Sequence, residues 1–177
     1  MSPTLPWRRE PRDRLGIDVL QTSLETADLD QTFDLILAIQ VAGHFVDVDR
    51  AFANLRNHLK PGGYLLIETW DCQSFTSRLL KAGWHEYNPP SVLHLFSRRS
   101  LETLSQRHGF HQIQACPTFK SVSVAVGRQL LEEKAEESKW IGGLAAALRL
   151  LPGHLTIPYP ADDLFYAIYQ KPTSSSS

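Results

Sequence analysis

The chain has 177 residues, of which 42% are hydrophobic and 21% charged, a balance typical of one globular domain with a substantial core. Eighteen basic residues against 19 acidic ones leave a formal net charge of -1, which disfavours a nucleic-acid partner. Cys72 and Cys116 predict no disulfide framework, so we expect a reducing, cytoplasmic location. No apolar run reaches the roughly 18 residues of a membrane span.

Both termini have compositions that predict disorder. Residues 1–15 combine three prolines and four arginines with few apolar side chains, too few to offset the entropy of ordering. The opposite end closes on four serines. We therefore expect a disordered arm over 1–15, an ordered domain over 16–172 and a disordered tail over 173–177.

Strand and helix patterns alternate along the first part of the domain. Ile17–Gln21 is a short strand candidate, and Phe33–Val41 is a nearly continuous apolar run, typical of a strand buried on both faces. Apolar residues at helical spacing predict a helix over Asp49–His58. The helix should end at Lys60–Gly63, where one proline and two glycines predict a sharp turn. Gly63–Trp70 is then a second buried strand.

The second part continues the alternation. Ser100 is a plausible N-cap of a helix that ends at Gly109, and Phe110–Ala115 is a third strand candidate. The pattern over 129–155 predicts a helical insertion that acts as a lid. Asp163–Gln170 is a last strand. This order of elements predicts an α/β architecture with a mainly parallel sheet.

Four segments together resemble the class I S-adenosylmethionine-dependent methyltransferases, in the branch similar to quinone-biosynthesis enzymes. In that family a strand of the type FDxI precedes a helix, an LKPGG turn and a buried strand, as Phe33–Ile36 and Leu59–Gly63 do here. The segments HLFSRRSLETLSQRHGF and DLFYAIYQKP resemble the end of the domain. GIDVLQTSLETADL resembles the third strand and the loop after it, so the resemblance covers about residues 16–172.

The start of the family pattern has no counterpart in the chain. Members normally open with a strand and a GxGxG turn, and an acidic residue then follows the second strand. Nothing before Gly16 fits either feature. We therefore expect an N-terminally truncated, Rossmann-like methyltransferase sheet that lacks its first two strands, is mainly parallel, and has an antiparallel last strand.

The resemblance implies S-adenosylmethionine as cofactor and places residues beside it. Ser23 and Leu24 would lie near the adenine, while Ile39, Gln40 and Val41, at the end of a strand, would border the cofactor. Ile39 and Val41 have a competing interpretation as simple core residues.

Two histidines are the catalytic candidates that the resemblance implies. His44 stands where relatives carry the histidine of a Glu-His pair, although Gly43 replaces the glutamate. It could act as a base or a hydrogen-bond donor, or be a solvent-exposed loop residue. His94 matches a downstream histidine of the family, for which a packing role is the safer interpretation. No cluster has metal-ligand spacing.

Further polar and aromatic residues leave two interpretations open. Glu68 could face a cleft, or it could be the last solvated residue of its strand, which we favour. Trp70, Trp84 and Tyr87 could form a substrate wall, but packing is the commoner role of aromatics at strand ends.

The resemblance implies a methyltransferase acting on the oxygen or carbon of a small molecule, impaired by loss of the glycine-rich loop. The alternative is a non-catalytic remnant, or a scaffold that pairs with another chain. Without its first strands, Phe33–Val41 has an open edge. We predict that Ile17–Gln21 pairs with Phe33–Ile39, in competition with a homodimer or a complementing chain at this edge.

Overall fold

A computed structural model describes residues 16–118, 121–125, 149–158 and 162–173, together with positions 128, 132, 143, 146 and 147. The predicted arm over 1–15, most of the predicted insertion over 129–155 and the last four residues lie outside this part of the chain. The described elements are, in chain order, β1 (Phe33–Ile39), α1 (Val48–His58), β2 (Leu59–Trp70), α2 (Phe75–Leu80), α3 (Arg98–Arg107), β3 (His111–Pro117), β4 (Ser121–Ser123), β5 (Thr156–Pro158) and β6 (Leu164–Gln170).

The described strands form a four-stranded sheet in the order β1-β2-β6-β3 and a separate pair, β4-β5. β1 runs parallel to β2, whereas β6 is antiparallel to both β2 and β3. The prediction of a mainly parallel sheet with an antiparallel last strand is therefore confirmed. The β4-β5 pair brings together the two ends of the segment that contains the predicted insertion.

α1 forms because its start is capped and one of its faces is apolar. The Asp47 carboxylate accepts a hydrogen bond from the Arg50 N–H at 2.9 Å, which satisfies one of the helix's first donors. Ala51, Phe52 and Leu55 share the stripe that packs on the sheet, and each is at most 1% exposed. α1 therefore covers one face of β1 and β2.

The segment Lys60–Gly63, predicted as a sharp turn, is instead the first part of β2. Its pairing with β1 is bulged, because Phe33 lies opposite Leu59 while Leu35 lies opposite Tyr64. Gly62 has a φ of 80°, and a Cβ on Gly63 would lie 2.9 Å from the Lys60 carbonyl oxygen. The two glycines therefore allow a bulged, closely packed strand entry rather than a free turn.

α3 begins three residues earlier than the Ser100 cap would place it, because Ser97 is its N-cap. The Ser97 Oγ accepts from the Ser100 N–H at 3.1 Å, and the Ser100 Oγ accepts from the Ser97 N–H at 2.8 Å. This is a reciprocal capping box, in which Ser100 is the third helical residue. The helix ends as predicted near Gly109, whose φ is 72°.

One face of the sheet is covered by α1 and α3, and we call it the closed face. Its strand residues and the helix residues that pack on them are no more than 7% exposed: Ala38, Leu65, Ile67, Phe165, Ala167 and Tyr169, with Phe52, Leu55, Leu101 and Leu104. This is the hydrophobic core of the described part of the chain.

The opposite face of the same strands is much more exposed, and we call it the open face. On β1 the exposed fractions of Leu35, Leu37 and Ile39 are 53%, 58% and 47%. Tyr64, which lies opposite Leu35 on β2, is 43% exposed. Large apolar side chains therefore line this face beside the outer edge of β1.

The predicted strand Ile17–Gln21 and its pairing with β1 are wrong. No strand is formed at these positions, and β2 is the only strand paired with β1 among the described residues. Ile17 and Leu20 are 53% and 58% exposed. The connection to β1 is shorter than a parallel crossover requires. It instead makes one hydrogen-bonded turn, where the Ala27 N–H donates to the Ser23 carbonyl at 2.8 Å.

Candidate functional site

The carboxyl ends of β1 and β2 meet at a residue with an unusual backbone. Gln40 follows β1 with a φ of 54°, in the left-handed region that few non-glycine residues adopt. Its N–H donates to the Glu68 carbonyl at 2.8 Å, and its Nε2 donates to the Glu68 Oε1 at 2.9 Å. Backbone strain of this kind is frequent at functional sites. The carboxyl ends of β1 and β2 are therefore a candidate functional site.

A cleft opens beside Gln40, between the turn at Ala42–His44 and the segment that leads into α3. The Leu93 and His94 N–H groups both donate to the Gly43 carbonyl, at 2.8 and 3.1 Å. A Cβ on Gly43 would lie 3.2 Å from the His94 carbonyl oxygen, so glycine allows this close approach. The residues lining the cleft are Gln40, Gly43, His44, Thr69, Trp70, Glu86, Val92, His94, Leu95 and Phe96.

The two candidate histidines lie in this cleft in different environments. The Nδ1 of His44 is 2.6 Å from the Ser91 carbonyl oxygen, which can only accept, so this nitrogen carries a proton. In the neutral ring, Nε2 is then the basic atom. The Nε2 of His94 is buried and has no hydrogen-bond partner in the described structure, and its ring lies beside Phe96. His44 therefore has the geometry of a base, and His94 carries an unsatisfied polar atom.

The predicted cofactor residues are divided between two places. Gln40 lines the cleft with both histidines, whereas Ile39 and Val41 are 47% and 42% exposed, so their interpretation as core residues is wrong. Ser23 and Leu24 lie outside the cleft. Leu24 lines a separate apolar groove of about 280 Å³ beside β1.

The groove beside β1 is positioned by α1. The Asn54 Nδ2 donates to the Leu24 and Ala27 carbonyls at 2.6 and 2.7 Å, and the Leu29 N–H donates to the His58 Nε2 at 3.1 Å. Leu24 also packs against the core. The segment that resembles the adenine-contacting loop is therefore fixed to the outside of α1, along the outer edge of the sheet.

The interpretation of Glu68 as the last solvated residue of its strand is wrong. β2 continues to Trp70, and Glu68 is paired with Ile39 on one side and Tyr166 on the other. Its carboxylate is partly buried and accepts from Gln40. Only the register of three strands reveals this arrangement, so a single sequence carried no signal for it.

Aromatic residues form a second cluster next to the cleft. The fully buried Asp163 accepts a hydrogen bond from the Trp84 Nε1 at 2.8 Å, which gives Trp84 a structural role. The His85 ring meets Trp70 edge-to-face, with 4.4 Å between centroids. Trp70 itself lines the cleft. Of the three residues suggested for a substrate wall, Trp70 alone lines the cleft, while Tyr87 is 56% exposed.

Neither a nucleophilic thiol nor a metal centre emerges near the cleft. Burial, together with the negative charge of Asp71, raises the pKa of Cys72, so its thiol stays protonated at neutral pH. Within the described ranges, no group of three or more histidine, cysteine or acidic residues could hold a metal ion. No helix among the same residues has the length and apolar character to cross a membrane.

Comparison with known proteins agrees with this geometry. A family profile described as "Methyltransferase domain" matches residues 7–115, which is more than half of the chain. The ubiquinone biosynthesis O-methyltransferase of Rickettsia typhi is 33% identical over 58 residues. That match covers 33% of this chain and 24% of the relative, so the shared segment spans about a quarter of the curated protein.

Solved structures show the same fold at low sequence identity. A methyltransferase from Thermotoga maritima that depends on S-adenosylmethionine aligns with a TM-score of 0.57 and 19% identity, over 94% of this chain and 69% of its own. The N-methyltransferase NodS from Bradyrhizobium japonicum, solved with S-adenosyl-L-homocysteine, aligns with a TM-score of 0.50 and 13% identity, over 93% and 59%. The cofactor implied by this resemblance is S-adenosylmethionine. The chain belongs to the class I S-adenosylmethionine-dependent methyltransferase family.

Proposed function

We propose that this chain supplies the acceptor side of S-adenosylmethionine-dependent methyl transfer to a small molecule. The observation that carries the proposal is the cleft at the carboxyl ends of β1 and β2, where Gln40, His44 and His94 come together. Open α/β sheets bind ligands beyond the carboxyl ends of their strands. The cleft combines polar side chains with the aromatic Trp70 and Phe96, which are groups that can orient a small acceptor. Its volume is about 10 Å³, so an acceptor would have to widen it.

Methyl transfer asks the protein mainly to position the acceptor and to remove one proton. We assign the second task to His44, whose Nδ1 is fixed by the Ser91 carbonyl and whose Nε2 is the basic nitrogen. His94, with its buried Nε2, would orient the acceptor by a hydrogen bond. We therefore expect His44 to contribute more to turnover than His94.

The residues present fit the cofactor only in part. The resemblance implies that Ile39, Gln40 and Val41 border the cofactor, but the 177 residues contain no GxGxG turn, and Ser23 and Leu24 lie outside the cleft. If the glycine-rich turn and the ribose carboxylate supply two charge-assisted hydrogen bonds, their loss costs roughly 3–6 kcal/mol. Binding would be weaker by a factor on the order of a hundred to ten thousand. The chain alone therefore does not build a complete cofactor site.

The edge of β1 suggests what completes the site. β1 has no described strand on its outer side, and three of its large apolar side chains are about half exposed. We propose that further strands with the glycine-rich turn pair with this edge, whether they come from additional polypeptide or from a separate chain. A homodimer through the same edge would cover β1 without supplying that turn.

The same edge favours one rival function, a non-catalytic scaffold that pairs with another chain. A scaffold needs the unpaired edge of β1 but makes no use of the histidines in the cleft. The two functions therefore differ in what happens when the cleft is altered and the edge is left intact.

The deciding experiment measures transfer of a labelled methyl group to a panel of small acceptors, with the chain mixed with a methyltransferase fragment that carries the glycine-rich half. We compare His44→Ala, His94→Ala and the control His111→Ala, a change on an exposed residue of β3. The proposal predicts transfer by the mixture, with His44→Ala the largest loss at saturating cofactor. Fragment binding without transfer would favour the scaffold. Equal near-wild-type turnover in all three variants would instead remove the assignment of His44 as the base.

A further inference from the structure

We propose that Glu68 binds the positively charged group of a small organic cation, so that the acceptor of this protein carries an ammonium group. The role as acceptor rests on the proposed function, whereas the binding of a cation does not.

Glu68 is a carboxylate in an otherwise apolar part of the sheet. It lies on β2 between Ile67, which is fully buried, and the 5% exposed Thr69, and is itself partly buried. Among the described residues no lysine or arginine forms an ion pair with it. A partly buried charge without an opposite charge is costly, and a bound cation would offset that cost.

The carboxylate is held in place rather than left mobile. The Gln40 Nε2 donates to one of its oxygens at 2.9 Å, and the Gln40 backbone that carries this side chain has a φ of 54°. The Gln40 N–H also bonds the Glu68 carbonyl. One carboxylate oxygen is thus engaged by a neutral donor, which orients the group while leaving its negative charge unneutralised.

The surroundings of Glu68 on the open face suit an organic cation better than a hydrated metal ion. Tyr166 lies directly opposite on β6, and Trp70 lies two residues further along the same face of β2. Ile39 is its partner on β1. A carboxylate between aromatic rings and apolar side chains combines ionic and cation–π attraction, as in sites for substituted ammonium groups.

The charge of the adjoining cleft agrees with this preference. The cleft is lined by Glu86 and, among the described residues, by neither lysine nor arginine. A phosphate or carboxylate acceptor would find neither a lysine nor an arginine among the described lining residues, and it would be repelled by both glutamates. The geometry therefore selects cationic over anionic acceptors.

The test measures binding of choline to the full chain without cofactor. Binding is detected as a shift of the Trp70 indole N–H signal in NMR spectra, and that signal is assigned by its loss in Trp70→Phe. Choline is compared with 3,3-dimethyl-1-butanol, a neutral molecule of the same shape. We expect a saturable shift with choline and at least tenfold weaker binding of the neutral analogue. Glu68→Gln should weaken choline binding at least tenfold, while Glu102→Gln, a change on α3, should not.

Far-UV circular dichroism verifies that Glu68→Gln folds, and Glu68→Asp provides a second variant that keeps the charge with a shorter reach. Equal binding of the two probes, or choline binding unchanged in Glu68→Gln, would overturn the inference. Choline binding by the chain, with no methyl transfer to the acceptor panel by the mixture with the glycine-rich fragment, would contradict the proposed function and leave the cation site standing. Methyl transfer without choline binding would support the proposed function and contradict the cation site.

Discussion

The two faces of the same sheet differ sharply in how they are covered. On the closed face Leu65, Ile67 and Ala167 are fully buried beneath α1 and α3. On the open face Leu37, one strand away, is 58% exposed. Both sets belong to largely apolar stretches of β1, β2 and β6, a pattern found in sheets that are covered on both sides.

The closed face is packed by elements of this chain, whereas the open face leaves large apolar side chains exposed to solvent. The closed face is a complete core made by residues drawn from Ala38 to Tyr169. The open face, with the edge of β1 beside it, has the composition of a core and the exposure of a surface. We interpret the edge of β1, with the exposed Leu35 and Leu37 beside it, as the place where the rest of a methyltransferase sheet attaches.

The largest expected effect is on the closed face. Phe52→Ala removes a fully buried ring from the core and should lower the free energy of unfolding by about 3–5 kcal/mol. Leu37→Ala, on the open face, should change it by no more than about 0.5 kcal/mol. Urea denaturation of both variants measures the contrast. Similar losses would show that the open face is as tightly packed as the closed one.

The second largest effect should appear in how the free energy of unfolding depends on pH. Burial raises the pKa of Tyr169, on the closed face, to about 12. The unfolded chain releases this proton near pH 10, so stability is intact below pH 10 and falls as the pH rises towards 12, by at most about 3 kcal/mol. Tyr169→Phe should lose this dependence, measured by urea denaturation across the range. Tyr64→Phe, on the open face, should keep it, and an unchanged profile in Tyr169→Phe would refute the assignment.

A smaller effect is expected where α1 holds the segment beside the edge of β1. Asn54→Ala removes two hydrogen bonds to the Leu24 and Ala27 carbonyls and should cost about 1–3 kcal/mol. Hydrogen exchange of residues 24–29 should accelerate more than that of β2. The control is Asn57→Ala, an exposed position on the same helix. Equal exchange in both variants would mean that α1 does not fix this segment.

A substitution beside the edge of β1 should have the smallest effect on stability but a clear effect on self-association of the chain. Leu37→Lys places a charge beside the open edge, which should leave unfolding within about 0.5 kcal/mol of wild type but suppress self-association at high concentration. Light scattering measures it, with Ile113→Lys on β3, where Ile113 is 56% exposed, as the matched control. If both variants associate alike, the edge of β1 has no special role.

The elements that the sequence predicted well are those whose pattern is local. The apolar runs of β1, β2 and β6 and the stripe of α1 are each visible within a dozen residues. The capping serine of α3 was misplaced by three positions because Ser97 and Ser100 satisfy each other, and either one fits the pattern. The antiparallel direction of the last strand in a mainly parallel sheet was predicted from the family resemblance, whereas the order of the strands was not predicted.

The errors fall where the outcome depends on a distant partner. Ile17–Gln21 has the composition of a strand, but a strand forms only when another strand can pair with it. The cleft needs Gly43 to meet the backbone of His94, some fifty residues away in sequence. The Gln40–Glu68 pair depends on the register of β1 against β2, which a single sequence does not specify.

Calorimetric titration of the 177-residue chain with S-adenosylmethionine tests the central claim most directly, because an open edge beside β1 implies an incomplete cofactor site. We expect the chain alone to give no saturable isotherm, or binding at least a hundredfold weaker than that of the same chain mixed with a fragment that supplies the glycine-rich strands. A tight isotherm of one cofactor per chain, without any added fragment, would contradict the account.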